Sequence, residues 1–393
     1  MKSFFSGLLP KVIVAIVAGV GLGYLVPELI VRIFATFNSL FSNFLGFCIP
    51  LIILGLVVSG IADLGKSAGK LLLLTVVLAY GSTLFSGFLT FFSANAILPM
   101  LLDSGSTGFL NSAKDISVSL EPFFTINMPA VFDVMSALVL AFVVGIGISQ
   151  QSGTTMKDFF AEFKNIIEKV ITVVIIPLLP IFIFGIFLNM SYSGEAFALM
   201  SQFGKVIAYI LILSLVLLFV QFTIAGIFSK SNPFVLLKGM IPAYMTALGT
   251  SSSAATIPVT LAQTKSVGVN EQIAEFTIPL CATIHLSGSM MKITGMSMAI
   301  LMMQGTPIDL TTYIGFIFLL GITMVAAPGV PGGAIMAAVA VLQSVLGFNE
   351  QALAVMIAVY VAIDSFGTAC NVTGDGAISV IINKLSGFEL KRN

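Results

Sequence analysis

The chain has 393 residues, of which 58% are hydrophobic and 9% are charged, and its mean hydropathy is +1.11. Ordinary soluble domains carry roughly 25% charged residues, so this composition excludes that class and predicts an all-α polytopic membrane protein. The 17 basic and 17 acidic side chains cancel. The chain has no basic block that would indicate nucleic-acid binding, and we expect the lipid bilayer as its surroundings.

Six apolar regions in the first 230 residues reach the length of about 20 residues that a membrane-spanning helix needs. They are residues 11–33, 36–62, 69–100, 129–149, 165–190 and 204–229. Lysines lie at alternate ends of these spans and in the C-terminal tail, so the positive-inside rule predicts that both termini are cytoplasmic. The segment 101–129 is rich in Ser, Gly, Asp and Asn, which predicts an extracellular loop.

After Lys230, two apolar stretches are interrupted in the middle by small and polar residues. The first covers about Pro233–Lys265 and is broken at Ala247–Ser253. The second covers about Leu310–Phe348 and is broken at Ala326–Gly333. Paired interruptions of this kind are typical of transporter binding sites, and they predict two re-entrant hairpins whose tips line a cavity near the middle of the membrane. The alternative is a pair of proline-kinked spanning helices.

The segment between the two predicted hairpins carries polar and ionisable residues. His285, Ser289 and Lys292 are spaced i, i+4, i+7, so a helix would place them on one side. Gly288 would let that helix unwind and expose carbonyl groups to a cation. A buried lysine needs a carboxylate partner, whereas a lone histidine is either a packing residue or a proton carrier. The candidate cation-coupling residues here are Cys281, Thr283, His285 and Lys292.

One face of the last span carries two carboxylates, an amide and a hydroxyl. Spacings of four, three and four residues place these groups on one side of a helix. A bilayer interior penalises such groups unless they face a cavity or a partner, so they are candidates for a substrate or ion pathway. The alternative is a stripe that only pairs with neighbouring helices. The residues are Asp364, Thr368, Asn371 and Asp375.

These motifs, in this order, resemble the dicarboxylate/amino acid:cation symporter family, which includes glutamate transporters and bacterial serine/threonine transporters. The resemblance covers nearly the whole chain and is most specific in Thr256–Pro258 of the first tip, Gly329–Gly332 of the second, and Asn371–Asp375. It implies eight transmembrane helices, two re-entrant helical hairpins, a homotrimer, and a transport unit that moves as an elevator against a fixed scaffold. It also implies a secondary active symporter of the inner or plasma membrane and no enzyme.

By this resemblance, residues 1–230 form six spanning helices, mainly for scaffold and trimer contacts, of which the third and sixth contribute to the transport unit. Residues 231–393 form the core transport region. Its parts are hairpin 1 at about 232–266, the seventh spanning helix at about 272–304, hairpin 2 at about 308–348, and the eighth spanning helix at about 351–386.

The resemblance also implies roles for individual residues. Asp364 is similar to the family's ligand for the substrate amino group, and Thr368 and Asn371 are similar to its contacts to the main carboxylate. Asn371 and Asp375 match the family's first sodium site, so the expected coupling ion is Na⁺ or H⁺, with no other cofactor. The resemblance also implies further residues that complete the substrate pocket. Helix ends and free N–H groups favour an anionic carboxylate, so the two tips would contribute to it. The residues are Ser252, Ser253, Ser289, Gly329, Val330, Pro331 and Gly332.

The chain departs from the family pattern at several of these positions. Gly367 stands where members with acidic substrates have the arginine that binds the side-chain carboxylate, which favours a small neutral amino acid such as serine, threonine or alanine. His285 and Ser287 replace an asparagine and an aspartate. Leu78 and Ala79 replace hydroxyl ligands, so one sodium site lacks hard oxygens. We therefore expect reduced sodium coupling, proton coupling or exchange.

Three alternatives remain. Lys292 would supply a point charge for a dicarboxylate or an acidic amino acid in place of the missing arginine. An intramembrane hydrolase built from Ser251–Ser253, His285 and Asp364 is disfavoured, because the chain has no Gly-x-Ser-x-Gly elbow. A channel is disfavoured because the polar residues are concentrated at one depth and do not form a continuous pore.

Overall fold

The computed structural model describes residues 8–63, 70–102, 120–131, 134–192, 196–325, 327, 331–388 and 390. Every regular element in this part of the chain is a helix. Two predicted residues of the second tip, Gly329 and Val330, lie outside the described residues, so their placement stays a prediction.

The helices before Lys230 are numbered α1 to α7 in chain order. They are α1 Leu8–Gly23, α2 Glu28–Asp63, α3 Lys70–Leu101, α4 Val134–Gln150, α5 Thr155–Lys169, α6 Ile176–Tyr192 and α7 Ala196–Ser229. A π-helical stretch, Val170–Ile175, joins α5 to α6. The break between α1 and α2 comes earlier than the predicted boundary at residues 33–36. Pro27 lacks a backbone N–H and cannot continue α1, and α2 begins directly after it.

The helices after Lys230 are shorter and more often interrupted. They are α8 Pro233–Gly239, α9 Ile241–Thr250, α10 Ser253–Ser266, α11 Glu271–Ile284, α12 Ser287–Met303, α13 Leu310–Val325, α14 Gly333–Leu346, α15 Glu350–Ala362 and α16 Asp364–Leu385. The two halves therefore differ in the structure as their sequences do.

Five helical runs in the described chain are long and apolar enough to cross a membrane. They are Glu28–Ile52, Leu71–Leu101, Thr155–Tyr192, Ser201–Ser229 and Glu271–Met303. The pair α15 and α16 passes the same test as one span that is bent by 62° at Ile363. Apolar portions of α1, α4, α13 and α14 are shorter. These helices agree with a multi-pass membrane protein.

The interrupted stretches form two pairs of packed helices. α9 packs against α10, and α13 packs against α14. At about 1.5 Å per residue, each of these four helices is shorter than the roughly 30 Å hydrocarbon core. Between α9 and α10 the chain turns at Ser251, whose φ of 50° and ψ of 26° lie in the left-handed region. Because the two helices of each pair pack against each other, the structure favours hairpins over single proline-kinked spans.

The first seven helices expose large apolar side chains, whereas the two helices that carry most of the predicted polar residues are buried. Large hydrophobic side chains such as Val17, Leu73, Val143, Ile212 and Leu215 are exposed on the first seven helices. A surface of this kind suits hydrocarbon and does not suit water. By contrast, α12 and α16 are buried almost throughout, and α12 packs against α3, α7, α15 and α16. The polar residues of α12 and α16 therefore face the inside of the bundle.

α12 and α16 approach closely at two glycines. A Cβ atom at Gly288 would lie 2.5 Å from the Gly367 carbonyl oxygen and 2.7 Å from the Cys370 Cβ atom. Small residues at such contacts let helix backbones approach within a membrane bundle. This contact brings the side chains of the two helices within reach of each other.

The first prediction concerns this contact. We expect Gly288→Ala to lower the free energy of unfolding by about 1–3 kcal/mol, because the added methyl group overpacks the interface. Gly315→Ala in α13 is the matched control, since no heavy atom lies within 4 Å of a Cβ atom there. Thermal or denaturant unfolding of both purified variants measures the difference. Equal stability of the two variants would show that the α12–α16 contact is not tight.

Candidate functional site

A buried ion pair joins the middle of α12 to the start of α16. Lys292 Nζ lies 3.1 Å from Asp364 Oδ1, and the lysine side chain is fully buried. Nζ also donates to the carbonyl groups of Ile363 and Asp364, at 3.4 and 3.3 Å. Both carbonyl groups lie at the 62° bend between α15 and α16. The ammonium group is therefore held by a carboxylate and by the bent backbone beside it.

Tyr360 and Gly367 shape the space around this ammonium group. Lys292 Nζ lies 3.7 Å from the centroid of the buried Tyr360 ring, a contact worth about 2 kcal/mol or more when it is desolvated. A Cβ atom at Gly367 would overlap Lys292 Cε. Lys292 therefore fills the space that a side chain at position 367 would need.

The other oxygen of Asp364 contacts the residue that precedes α14. Gly332 donates its backbone N–H to Asp364 Oδ2 at 2.7 Å. Gly332 has a φ of +75°, a left-handed conformation that glycine adopts without steric cost. Its neighbour Pro331 is partly buried. Asp364 thus connects α12, α16 and the end of the second predicted tip.

Asn371 caps the start of α12 from the neighbouring helix. Its Oδ1 atom accepts hydrogen bonds from the backbone N–H groups of Gly288 and Ser289, at 2.7 and 3.3 Å. The residue before α12 is Leu286, whose side chain cannot cap the free N–H groups of a helix start. Asn371 Nδ2 and the Tyr360 hydroxyl both donate to Ser289 Oγ at 3.1 Å. The amide oxygen of Asn371 is thus directed at protein donors.

A second buried pair lies further along α16. His285 Nδ1 is 2.8 Å from Asp375 Oδ1, and both side chains are buried. His285 Nε2 is 3.0 Å from Ser82 Oγ, which accepts from Gln221 Nε2 at 3.0 Å. Gln221 Nε2 also donates to Ser287 Oγ. A carboxylate has no proton to give, so His285 donates through Nδ1 and links Asp375 to a polar network from α3 and α7.

The predicted helical arrangement of His285 with Ser289 and Lys292 is wrong. The chain is extended at His285, with φ of −106° and ψ of 94°, and α12 starts only at Ser287. The predicted unwinding at Gly288 is also wrong, because the break lies at residues 285–286 and Gly288 is helical. The break lets His285 reach Asp375 while Lys292 reaches Asp364. The lysine therefore pairs with the first of the two carboxylates, and the imidazole pairs with the second.

Three further predicted residues lie on α11 and α16. Cys281 is buried in α11, one turn before His285. Thr283 is exposed, and its hydroxyl donates to the carbonyl of Leu280 in its own helix. The Thr368 hydroxyl donates to the Asp364 carbonyl at 3.1 Å. Thr283 thus faces away from the buried side of α11.

The serine-rich turn between α9 and α10 is built as a helix start. Ser252 Oγ accepts from the backbone N–H of Ala255 at 3.3 Å and so caps α10, while Ser253 is buried. The Thr256 hydroxyl donates to the Ser252 carbonyl at 2.8 Å. Both α9 and α10 pack against α16. The contacts of Ser252 and Ser253 to a ligand stay predictions.

Three residues of the site were missed by the sequence analysis. Gln221 is an amide in the apolar helix α7, a signal of the same kind as those used for α16. Ser82 lies one turn after Leu78 and Ala79 of α3, which replace hydroxyl ligands of the family pattern. Tyr360 gave no signal, because an aromatic residue in an apolar helix is ordinary. In the described part of the chain, no group of three or more His, Cys, Asp or Glu side chains is arranged to hold a metal ion.

Matches to known proteins cover nearly the whole chain. The model of the Sodium:dicarboxylate symporter family matches residues 8–385. The Serine/threonine transporter SstT of Acinetobacter baumannii (strain ATCC 17978) is 29% identical over 392 residues, which cover 95% of this chain and 96% of the relative. The Serine/threonine transporter SstT of Streptococcus agalactiae serotype III (strain NEM316) is 27% identical over 393 residues and 96% of each chain. These names describe transporters and no enzyme.

The second prediction tests the pair His285 and Asp375. We expect His285→Leu to lower the free energy of unfolding by about 3–5 kcal/mol, because it leaves a buried carboxylate without its donor. Adding Asp375→Asn removes that charge, so the double variant should be more stable than His285→Leu alone. Lys265→Met is the control, since Lys265 pairs with Glu271 and Glu275 at a partly exposed position and should keep the unfolding midpoint. A double variant that is no more stable than His285→Leu would contradict the pair.

Proposed function

The chain belongs to the sodium:dicarboxylate symporter family, and we propose that it is a secondary active symporter of a small neutral amino acid such as serine, threonine or alanine. One observation carries the proposal: the Lys292 ammonium group lies beside Gly367 and is paired with Asp364. The two SstT relatives, whose names specify serine and threonine, support the same substrate class.

The charges of the pocket support a substrate with no net charge. Lys292 and Asp364 sum to zero when both are ionised. A zwitterionic amino acid adds an ammonium and a carboxylate, so each buried charge can keep an opposite partner. An acidic amino acid or a dicarboxylate adds uncompensated negative charge, and burying it costs several kcal/mol per ion. The alternative of an acidic substrate would therefore need a further cation.

We propose that the substrate ammonium binds Asp364, with Thr368 and Asn371 near the main carboxylate. Ser252, Ser253 and Ser289 would complete the polar lining, together with the backbone of Gly329, Val330, Pro331 and Gly332. The N-terminal ends of α10 and α14 would face this pocket, and helix N-termini favour an anionic group. The geometry that supports this pocket is the contact of Asp364 with Gly332.

We also propose that sodium coupling is reduced or is replaced in part by protons. Na⁺ is the coupling ion that the family name specifies, and it prefers hard oxygen ligands such as carboxylates and carbonyl groups. In this chain Asp375 Oδ1 contacts His285, and Asn371 Oδ1 contacts two backbone N–H groups. Those contacts compete with a sodium ion at the position matched by Asn371 and Asp375. Cys281, Thr283 and Lys292 are the other candidates for coupling.

For the architecture we propose eight spanning helices and two re-entrant hairpins. The five long helical runs, the bent pair α15 and α16, and the shorter α1 and α4 would be the eight spans. Residues 1–230 would mainly form scaffold and homotrimer contacts, with the third and sixth spans in the transport unit. Residues 231–393 would form the core that moves as an elevator. Both termini would be cytoplasmic.

The third prediction concerns Asp364, the carboxylate that is proposed to bind the substrate ammonium. We expect Asp364→Asn to weaken serine binding by roughly 10- to 100-fold, because a hydrogen bond to a charged group contributes about 1.5–3 kcal/mol. Asp309→Asn is the matched control. Asp309 is exposed at the start of α13, where the backbone N–H of Thr312 lowers the pKa of its carboxyl group. Thermal-shift titration with L-serine measures both variants. Unchanged serine affinity in Asp364→Asn would refute this role.

The fourth prediction concerns the coupling ion. In proteoliposomes, serine uptake should persist when choline replaces sodium, or should respond to an imposed pH gradient. The reason is that His285 and two backbone N–H groups already contact Asp375 and Asn371, the expected sodium ligands. Radiolabelled uptake at two pH values, with and without sodium, measures this. A strict sodium requirement with no response to a proton gradient would contradict reduced coupling. The absence of uptake of any neutral amino acid under all four conditions would contradict the transporter proposal itself.

A further inference from the structure

We propose that Lys292 is a tethered counter-ion, which occupies the ammonium position on Asp364 in the empty protein and has to be replaced there by the substrate. The inference rests on the proposed function, because it assigns the group that competes with the substrate amine. It makes Lys292 a determinant of specificity for ligands that carry both an ammonium and a carboxylate.

Asp364 already holds a donor on each of its oxygen atoms. Lys292 Nζ is 3.1 Å from Oδ1, and the backbone N–H of Gly332 is 2.7 Å from Oδ2. The residue is only 6% exposed, so most of its carboxylate surface is in contact with protein. The carboxylate could accept further hydrogen bonds, but Lys292 already neutralises its charge. An ammonium group that arrives from outside therefore competes with the chemically equivalent group of Lys292 for the same counter-charge.

The surroundings of Lys292 allow such a replacement. The ammonium group is positioned by two backbone carbonyls at 3.3–3.4 Å and by the Tyr360 ring. None of these is a second carboxylate, so the ammonium group can leave Asp364 without breaking another ion pair. Gly367 contributes no side chain, which is why the lysine stem fits beside α16. The flexible four-carbon stem lets the charge move while the helix stays in place.

The displaced lysine then determines which ligands bind well. A buried ammonium without a counter-ion is strongly unfavourable. A zwitterion supplies both a new ammonium for Asp364 and a carboxylate for Lys292, so one ion pair becomes two. An amine that lacks a carboxylate leaves Lys292 unpaired. A carboxylic acid that lacks an amine leaves the pair of Lys292 and Asp364 intact and finds no free ammonium partner for its own carboxylate.

The same pair also holds the start of α14 against α16. Lys292 neutralises Asp364, and Asp364 in turn holds Gly332 at the start of α14. Without the lysine, the carboxylate would be an unpaired charge in a membrane interior and would attract water or an external cation. The contact to Gly332 would then open more often, and the backbone amides that follow Pro331 would exchange faster.

The first measurement compares L-serine with ethanolamine, which has the ammonium and hydroxyl groups but no carboxylate. The full-length protein in detergent is titrated with each ligand and followed by thermal shift. We expect Lys292→Met to reduce the preference for serine over ethanolamine by about tenfold or more, a change of about 1.4 kcal/mol. Lys265→Met, the same substitution in a partly exposed ion pair, should keep the wild-type preference. An unchanged preference in Lys292→Met would overturn the proposal.

The second measurement needs no substrate and so separates this inference from the proposed function. Hydrogen–deuterium exchange of residues 331–346 is followed without sodium and without amino acid. We expect strong protection in the wild type and in Lys265→Met, and exchange about tenfold faster in Lys292→Met. Equal protection in wild type and Lys292→Met would overturn the inference even if serine is transported. Failure of every amino acid to bind would refute the proposed function, and the exchange rates would still decide whether Lys292 stabilises the start of α14 against Asp364.

Misfolding of Lys292→Met would also be informative. The double variant Lys292→Met/Asp364→Asn buries no charge at this position, so it should regain the wild-type elution profile and unfolding midpoint. Failure of the double variant to recover would show that the lysine acts in folding through contacts other than Asp364, which contradicts its role as a counter-ion.

Discussion

The ion pair between Lys292 and Asp364 is the interaction on which the rest of the site depends. Bringing two charges into a membrane interior costs several kcal/mol per ion, and only close geometry with further hydrogen bonds compensates that cost. The surrounding structure supplies those conditions. α12 and α16 approach at Gly288, the chain bends at Ile363 to present two carbonyl groups, and Gly332 donates to the second carboxylate oxygen. Close packing of α12 and α16, the bend at Ile363 and the contact of Gly332 therefore all stabilise the pair of Lys292 and Asp364.

The second acidic residue of α16, Asp375, also has a buried basic partner. Asp375 lies eleven residues after Asp364, about 16 Å along the helix axis, and its partner is His285. Each buried carboxylate of α16 thus has a basic group of the protein as its neighbour. A protein that provides its own counter-ions has less need of cations from solution to neutralise the empty site. This constraint connects the fold to the proposed change in sodium coupling.

Much of the site could be predicted from local sequence patterns. The polar face of α16 follows from its spacing, and the two interrupted stretches indicated packed pairs of short helices. The need of Lys292 for a carboxylate followed from burial alone. Which carboxylate it would bind could not be predicted, because that choice depends on where α11 ends and α12 begins. The spacing of His285, Ser289 and Lys292 assumed one helix, whereas Asn371 of α16 caps a new helix at Ser287. A side chain distant in sequence therefore stabilises that boundary. Ser82 of α3 contacts His285 and Gln221 of α7 contacts Ser287, and both are also distant in sequence.

The most direct measurement is a pair of experimental structures of the protein in lipid nanodiscs without sodium, one without ligand and one with L-serine. The account predicts that Lys292 Nζ contacts Asp364 in the empty protein. In the loaded protein the serine ammonium should contact Asp364, and Lys292 should face the serine carboxylate. A loaded structure in which Lys292 keeps its contact with Asp364, while the serine ammonium binds elsewhere, would contradict the account.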